Sequence, residues 1–283
     1  MNRPAPLLSI VVPTFGSQAV LGAALQSIAA QSWRDFEVII SDGASSDATL
    51  AMAAGFAQSL PALVLDSRPD SGVYDAINRG IALARGEWVL IVGSDDRLHG
   101  ADTLATLAPH LQAATADVVY GDVRMMAANT NGVPAGARYA GAVPLERLVM
   151  QNICQQAICY RRALFDDIGA FDLRYRLHAD WALNLRAAVR GSLQWVDIVV
   201  TDYAATGMSA AQGDARWAED MPEWLRATLL ANAGDRRLWP LQRCLLRQAD
   251  RFRRRGRWRE AFAHLASYLS LRARRVFGGT ATR

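Results

Sequence analysis

The run Trp88-Val89-Leu90-Ile91-Val92 limits the folds open to this chain. It is apolar without a break, follows Gly86-Glu87 and ends in Gly93-Ser94-Asp95-Asp96. A run this short, bounded by glycines and without alternation, reads as a strand over 87–93 buried on both faces, as in the interior of a parallel sheet. In open α/β sheets ligands bind beyond the carboxyl ends of the strands. Asp95 and Asp96 therefore belong at the mouth of a crevice. Two hard oxygen ligands there suit Mg2+ or Mn2+, and those ions suit a diphosphate. The same three residues, Ser94-Asp95-Asp96, also read as a polar turn leading into the next helix.

The preceding residues fit the same architecture. Leu8 to Val12 is a β-rich run closed by Pro13, and residues 18–32 place Val20, Leu21, Ala24, Leu25 and Ile28 at helical spacing. Phe36 to Ile40 predicts a second buried strand, ending in Ser41-Asp42-Gly43-Ala44-Ser45-Ser46-Asp47, where Ser46 or Asp47 is a natural helix cap. Ala62 to Leu65 predicts a third strand, and 73–85 a helix that stops at Gly86. Alternating strands and helices with short loops mean a parallel α/β sheet. Further on, the pattern predicts a helix at 102–113, a strand at 117–120, a mobile loop at 127–142 and short helices at 144–150 and 161–167. It then predicts a helix at 179–190 with Trp181, Leu185, Ala188 and Val189 inward, a strand at 194–200, and helices at 215–231, 240–254 and 258–275.

Several classes drop out. No Gly-x-Gly-x-x-Gly follows the first strand, which argues against a dinucleotide-binding enzyme. All 31 basic residues are arginine, so a lysine-bearing P-loop is excluded. No apolar run approaches the roughly 18 residues of a membrane span, and Met1 to Pro6 lacks a signal-peptide pattern, so the expectation is a cytoplasmic protein. Cys154, Cys159 and Cys244 show no metal-ligand spacing and read as reduced thiols.

Four segments resemble the family 2 glycosyltransferases of the GT-A fold in order and spacing: Ser9 to Phe15, Ser41 to Asp47, Asp70-Ser71-Gly72-Val73-Tyr74-Asp75-Ala76-Ile77-Asn78-Arg79-Gly80, and Ser94-Asp95-Asp96. A fifth, from Arg161-Arg162 through Gly169-Ala170-Phe171-Asp172 to Ala179-Asp180-Trp181, is similar to the acceptor-side signature of that family. The resemblance covers about residues 7–210 and is closest to the branch acting in bacterial exopolysaccharide and colanic-acid-type assembly. It implies a mostly parallel Rossmann-like sheet flanked by helices. It also implies a nucleotide-sugar-binding half (1–110), an acceptor-binding half of the same domain (111–231) and a basic C-terminal helical hairpin (232–283).

The resemblance also implies roles. Pro13, Thr14 and Phe15 match the turn lining the nucleotide pocket, and Asp42 the acceptor for the uracil imide, against the plainer reading of Asp-Gly turn chemistry. Gly72 would let the backbone pass close to the ligand. Asp75 and Asn78, three apart, share a helix face; Asp75 also reads as a cap or a partner of Arg79. Arg68 stands where the family is usually acidic. Asp96 takes the metal-binding place, with Mn2+ or Mg2+ as cofactor, and Asp95 contacts ribose or a metal-bound water. Asp180 matches the general base of an inverting transfer, against the plainer reading of a helix cap. His178 is a weaker candidate. Gln155-Gln156 falls where relatives have His-Gln, and Thr206-Gly207-Met208-Ser209 resembles a loop closing over the donor diphosphate.

The expected partners are a nucleotide-sugar donor, UDP-linked, and a glycan or polyprenyl-linked acceptor, with no nucleic acid. Rivals are a sugar nucleotidyltransferase, for which the first loop lacks glycines and a basic residue, and a non-catalytic sugar-nucleotide-binding or membrane-scaffold protein. Charge adds one further expectation. Residues 236–283 hold 14 arginines against Asp250 and Glu260, net +12, whereas the first 235 residues are net −8. Two apolar stripes run through this tail, Leu241, Cys244, Leu245, Ala249 and Phe252, then Trp258, Ala261, Phe262, Leu265 and Leu269. Either both pack on the body, or the tail lies on an anionic membrane as a peripheral element at the inner face of the plasma membrane.

Overall fold

A computed structural model of the chain describes residues 4–128, 132–191, 193–204 and 213–277. Strands β1 (Leu8–Thr14), β2 (Phe36–Asp42), β3 (Leu63–Ser67) and β4 (Trp88–Ile91) pair in parallel in the order β3-β2-β1-β4. Between them run helices α1 (Leu21–Ala29), α2 (Thr49–Gly55) and α3 (Val73–Leu83). Leu8 lies opposite both Phe36 and Trp88, so residues 8, 10 and 12, 36, 38 and 40, and 88, 90 and 92 share one face of the sheet. That face enters a core with Leu21, Leu25 and Ile28 of α1 and Leu104, Leu107 and Leu111 of α4 (Thr103–Ala113). Truncating one of these fully buried leucines to alanine costs about 2–5 kcal/mol. On β1, Val11 faces the other way and meets α3, where a Cβ at Gly80 would lie 2.4 Å from Val11 Cγ1. Glycine thus lets α3 settle onto β1.

The second half of the sheet is mixed. Its strands are β5 (Arg97–Leu98), β6 (Val118–Met125), β7 (Arg138–Tyr139), β8 (Ile158–Arg161) and β9 (Leu193–Tyr203). β8 lies antiparallel between β4 and β6, β9 runs parallel to β6, and β5 and β7 pair antiparallel with β9 and β6. The strands expected at 117–120 and 194–200 are longer than their apolar runs, because β6 and β9 continue pairing through Asp122 and Asp202. No apolar periodicity marks β8, and the helix expected at 161–167 starts at Leu164, as α6 (Leu164–Ile168). The loop expected over 127–142 contains β7, anchored where Arg138 donates to Asp122 (2.7 Å) and Asp197 (2.6 Å). Helix α7 (Ala179–Arg190) coincides with its expectation, but it buries Ala182, Leu183, Asn184 and Leu185 and leaves Trp181 and Val189 half-buried.

The contacts divide the chain into two compact units, Met1–Val143 with Ile153–Gln212, and Pro144–Asn152 with Gly213–Arg283. The sheet therefore spans both halves expected at 1–110 and 111–231. The helical unit begins at 213 rather than 232, because α8 (Ala215–Ala231) packs with α9 (Gln242–Arg254) and α10 (Trp258–Phe277) and holds His264 Nε2 at its Pro222 carbonyl, 3.1 Å away. Between α8 and α9, Arg236–Leu241 forms a 3-10 turn, and the unit also contains α5 (Leu145–Leu148). No helix among the described residues is long and apolar enough to cross a membrane.

Candidate active site

Each expected site residue except Asp180 sits at the carboxyl end of a strand of the parallel half, just beyond one, or in the first two turns of the following helix. β1 ends in Pro13 and Thr14, both buried, and the chain then turns outward so that Phe15 is 75% exposed. Of the three residues expected to line a nucleotide pocket, only Phe15 offers free surface. A Cβ on Gly43 would lie 3.1 Å from the Phe15 ring and 2.6 Å from Asp70 Oδ2, so glycine lets these two side chains approach the β2 loop.

Asp42, fully buried at the end of β2, receives four hydrogen bonds. Oδ1 accepts from Thr14 Oγ1 (3.0 Å) and Ser45 Oγ (2.5 Å), Oδ2 from Ser45 N (2.8 Å) and Ser67 Oγ (2.7 Å). Burial alone would raise its pKa; the four donors outweigh it and hold the carboxyl below the usual range. Ala44 adopts φ +63°, a left-handed conformation that costs a non-glycine residue about 1–2 kcal/mol. That bend lies between Asp42 and the Ser45 amide bonded to it. Arg79 braces the same loops, donating to the Asp42 carbonyl (2.9 Å) and the Arg68 carbonyl (3.0 Å). Arg68 itself pairs with Asp66 at 3.0 Å.

At the start of α3, Gly72 takes φ +135°, open to glycine alone without strain. Asp75 accepts from Ser71 N (2.9 Å) and Ser71 Oγ (3.0 Å), reaching back past Gly72 to the residue before the helix cap. Its carboxyl is held below the usual range, chiefly by the Ser71 amide. Asn78 clamps the Phe171 backbone: Nδ2 donates to the carbonyl (2.9 Å) and Oδ1 accepts from the amide (3.0 Å). Asp75 and Asn78 thus turn to different partners, one at the helix start and one in the acceptor-side segment.

Beyond β4, Asp96 is 1% exposed. Its Oδ1 accepts from Ala204 N (2.8 Å), at the end of β9, while Oδ2 is buried with no hydrogen-bond partner. Burial, and then the neighbouring Asp95 charge, push its pKa up to about 7, against the Ala204 amide and the Gln156 side chain. A Cβ on Gly93 would fall 2.5 Å from Asp96 Oδ2 and 3.1 Å from Asp95 Oδ1, so the two carboxylates converge over a glycine. An orphaned, buried carboxylate oxygen beside a second carboxylate fits a divalent cation. No group of three or more His, Cys, Asp or Glu suited to a metal occurs among the described residues. Such a sparse set suits Mg2+ or Mn2+, which take few protein ligands and complete their shell with water and substrate phosphate.

Asp180, in the first turn of α7, is half-buried. The Tyr74 hydroxyl donates in a fork to Asp180 Oδ1 (2.9 Å) and the Leu177 carbonyl (2.8 Å), with its ring stacked on Phe171 (5.5 Å between centroids). Burial raises the Asp180 pKa, opposed by the Tyr74 hydroxyl, the Trp181 amide and the nearby His178. His178 itself meets Trp181 edge to face.

Two groups to which the sequence assigned no role, Tyr74 and Cys154, join the site together with Gln156 of the Gln155-Gln156 pair. Tyr74 lies in a quoted motif, but nothing in its spacing connects it to Asp180, 106 residues on. Burial, and then the charges of Asp96 and Asp180, raise the Cys154 thiol well above the ordinary range. Gln156, whose Oε1 accepts from the Cys154 thiol at 3.0 Å, also acts on Asp96. The charges of the two carboxylates expected at the donor and acceptor ends therefore both act on one cysteine. Residues 206–209, expected to close over the diphosphate, lie outside the described residues.

Comparison with known proteins gives the family and the fold. The model for glycosyl transferase family 2 matches residues 9–169. A PGL/p-HBAD biosynthesis glycosyltransferase of Mycobacterium bovis is 45% identical over 208 residues, covering 72% of this chain and 78% of the relative. The uncharacterized glycosyltransferase YwdF of Bacillus subtilis is 28% identical over 64% of this chain and 68% of its own. Among solved structures, S. aureus TarS 1-349 in complex with UDP-GlcNAc aligns with a TM-score of 0.64 at 25% identity, over 79% of this chain and 65% of that one. A mannosyltransferase from Pyrobaculum calidifontis in complex with GDP-Man and Mn2+ shares the fold, with a TM-score of 0.60 at 19% identity, over 97% of this chain and 80% of that one. This chain is a glycosyltransferase with a GT-A-type α/β fold, and it belongs to glycosyltransferase family 2.

Proposed function

We propose that the protein is an inverting, divalent-metal-dependent glycosyltransferase. In this reading it moves a sugar from a UDP-sugar to a hydroxyl of a glycan or lipid-linked acceptor in cell-surface polysaccharide or glycolipid assembly, at the cytoplasmic side of a membrane. The observation that carries the reading is Asp96 Oδ2, buried and unpartnered at the tip of β4, beside Asp95. UDP as the donor nucleotide draws support from the UDP-GlcNAc complex of TarS, and a metal from the Mn2+ complex of the archaeal mannosyltransferase.

Phe15 stacks on the base from its exposed position, and Asp42 meets the imide N–H once the Ser45 or Ser67 hydroxyl turns aside. Gly72 leaves room for the sugar-nucleotide beside α3. Asp96, with Asp95, would hold the cation, which when bound would supply positive charge to neutralise the diphosphate. Asp180 takes the proton of the acceptor hydroxyl as that oxygen attacks the anomeric carbon from the face opposite the diphosphate. The C–O bond to the diphosphate breaks, the nucleoside diphosphate leaves and the anomeric configuration inverts. A base with a raised pKa suits proton abstraction near neutral pH. Asp75 and Asn78 act in this scheme by shaping the loops around the donor.

The test is a panel of nucleotide sugars and acceptors with Mn2+, Mg2+ or chelator. A UDP-sugar should be consumed only with metal, and the product should carry the inverted anomer. Asp180→Asn should lose about a hundredfold or more in transfer, within the range for a general base, while still binding donor. Unchanged transfer by that variant overturns the assignment of the base.

A further inference from the structure

The helical unit carries a face that the transfer chemistry does not use. Helix α10 buries Ala261, His264, Ser267 and Leu271, small or polar residues for the most part. The large apolar side chains of its stripe point to solvent: Trp258 is 54% exposed, Phe262 66%, Leu265 38% and Leu269 57%. They recur at intervals of three and four residues and so form one continuous stripe. Exposed apolar patches of this kind mark contact surfaces.

Next to the stripe along α10, Arg272 and Arg275 face Arg243 of α9 and Trp239 of the preceding turn. These residues line two adjoining cavities, of about 330 and 440 Å³. Arg236 and Arg247 complete the second. Arg275 and Arg236 lie 4.4 and 5.5 Å from the Trp239 ring centroid, and the indole N–H of Trp239 is enclosed without an acceptor. None of the five arginines has a carboxylate within ion-pair distance among the described residues, although Glu146 lies at the rim of one cavity. By contrast, Arg253, Arg254 and Arg257 of the same unit are all paired. Guanidinium groups gathered around a cavity repel one another, and phosphate is the anion their planar forks match.

We infer that the Trp239 cavities are a binding site for the phosphate of an anionic lipid headgroup, with the Trp258-Phe262-Leu265-Leu269 stripe of α10 buried in the adjoining acyl region. The charge of the cavity and the apolar stripe beside it select a lipid over a free anion, since a soluble phosphate has no use for the stripe. This site makes the membrane location proposed above specific, and it is tested without turnover, so it stands or falls apart from the catalytic assignments.

The experiment is co-sedimentation of the full chain with vesicles of phosphatidylglycerol or phosphatidylcholine at fixed ionic strength. Phosphatidylglycerol should bind and phosphatidylcholine should not. Arg243→Gln with Arg275→Gln should weaken binding about thirtyfold, whereas Arg255→Gln with Arg259→Gln, an equal loss of charge elsewhere in the unit, should weaken it less than about threefold. Phe262→Ser with Leu269→Ser should also weaken binding about thirtyfold, at unchanged Tm. On the unmodified protein, millimolar inorganic pyrophosphate should displace the vesicles where chloride of equal ionic strength does not. Equal losses from the two arginine pairs would mean diffuse attraction and overturn the site. Pyrophosphate binding without vesicle binding would mean a soluble-anion site and overturn the lipid assignment.

Discussion

The Tyr74 hydroxyl lies 2.9 Å from Asp180 Oδ1 and ties the first turn of α3 to the first turn of α7. The donor-side motif thereby holds the proposed base. A hydroxyl has one proton, shared here between Asp180 and the Leu177 carbonyl, and it stabilises the charged carboxylate against burial.

Tyr74→Phe should therefore raise the Asp180 pKa further. Transfer that needs the carboxylate grows as pH rises through that pKa, so the acid limb of the kcat/KM profile should move to higher pH. The rate near neutrality should fall about tenfold, at little change in donor KM. A pH–rate profile of both proteins checks this; an unmoved acid limb would detach Tyr74 from the base.

Asp96 predicts a pH-dependent stability of the metal-free protein. Its pKa rises from 3.8 on folding to about 7, so the folded state holds a proton that the unfolded state releases. Its contribution is fully present below about 4 and is lost as pH climbs through about 7, by an amount of the order of a few kcal/mol. Asp96→Asn, which keeps the acceptor for the Ala204 amide, should flatten this slope. Mn2+ should stabilise the unmodified protein near pH 7.5 and leave the variant unaffected. Tm measured from pH 5 to 8, with and without metal, checks both.

Phe15→Ala removes an exposed ring with few contacts to lose. Tm should stay within about a degree, since surface changes fall within about 0.5 kcal/mol. Donor affinity should drop about tenfold or more, as expected for the loss of one base-stacking aromatic. Calorimetric titration with UDP separates the two effects.

Asn78→Ala leaves the amide and carbonyl of Phe171 without their partners. A loss of about 2 kcal/mol follows from two unsatisfied backbone groups that retain some access to water. The donor KM should change less than about threefold, because Asn78 spends its side chain on the backbone. Denaturant unfolding and steady-state kinetics give the two numbers. A large KM change at unaltered stability would restore Asn78 to the donor-binding residues.

The parallel half of the fold was legible because each strand is an apolar run that ends at a polar loop, and because those of β1, β2 and β4 are buried on both faces. β8 was not, since Ile158-Cys159-Tyr160-Arg161 is four residues long, follows Gln155-Gln156 and joins its neighbours antiparallel, with no crossover helix to announce it. Periodicity identified α10 as amphipathic but left open whether its stripe packs inward or faces out. Helix neighbours chose Ala261, Ser267 and Leu271 for close packing and turned the bulkier side chains out. At the site, carboxylate positions along the chain were readable, whereas their partners were not. Asp42 is held from β1, its own loop and β3, and Asp96 from the end of β9, contacts that exist only once the strands are ordered.

The place of β8 in the sheet bears on how the chain comes off the ribosome. β4, which carries Asp95 and Asp96 just past its tip, gains its second neighbour only when residues 158–161 have been made. Until then the nascent chain presents Trp88, Val89 and Leu90 along an unpaired edge, a template for pairing with another chain. The delay is a closure of long sequence separation, the kind that slows folding and exposes intermediates to aggregation. A fragment ending near residue 110 would keep that open edge permanently.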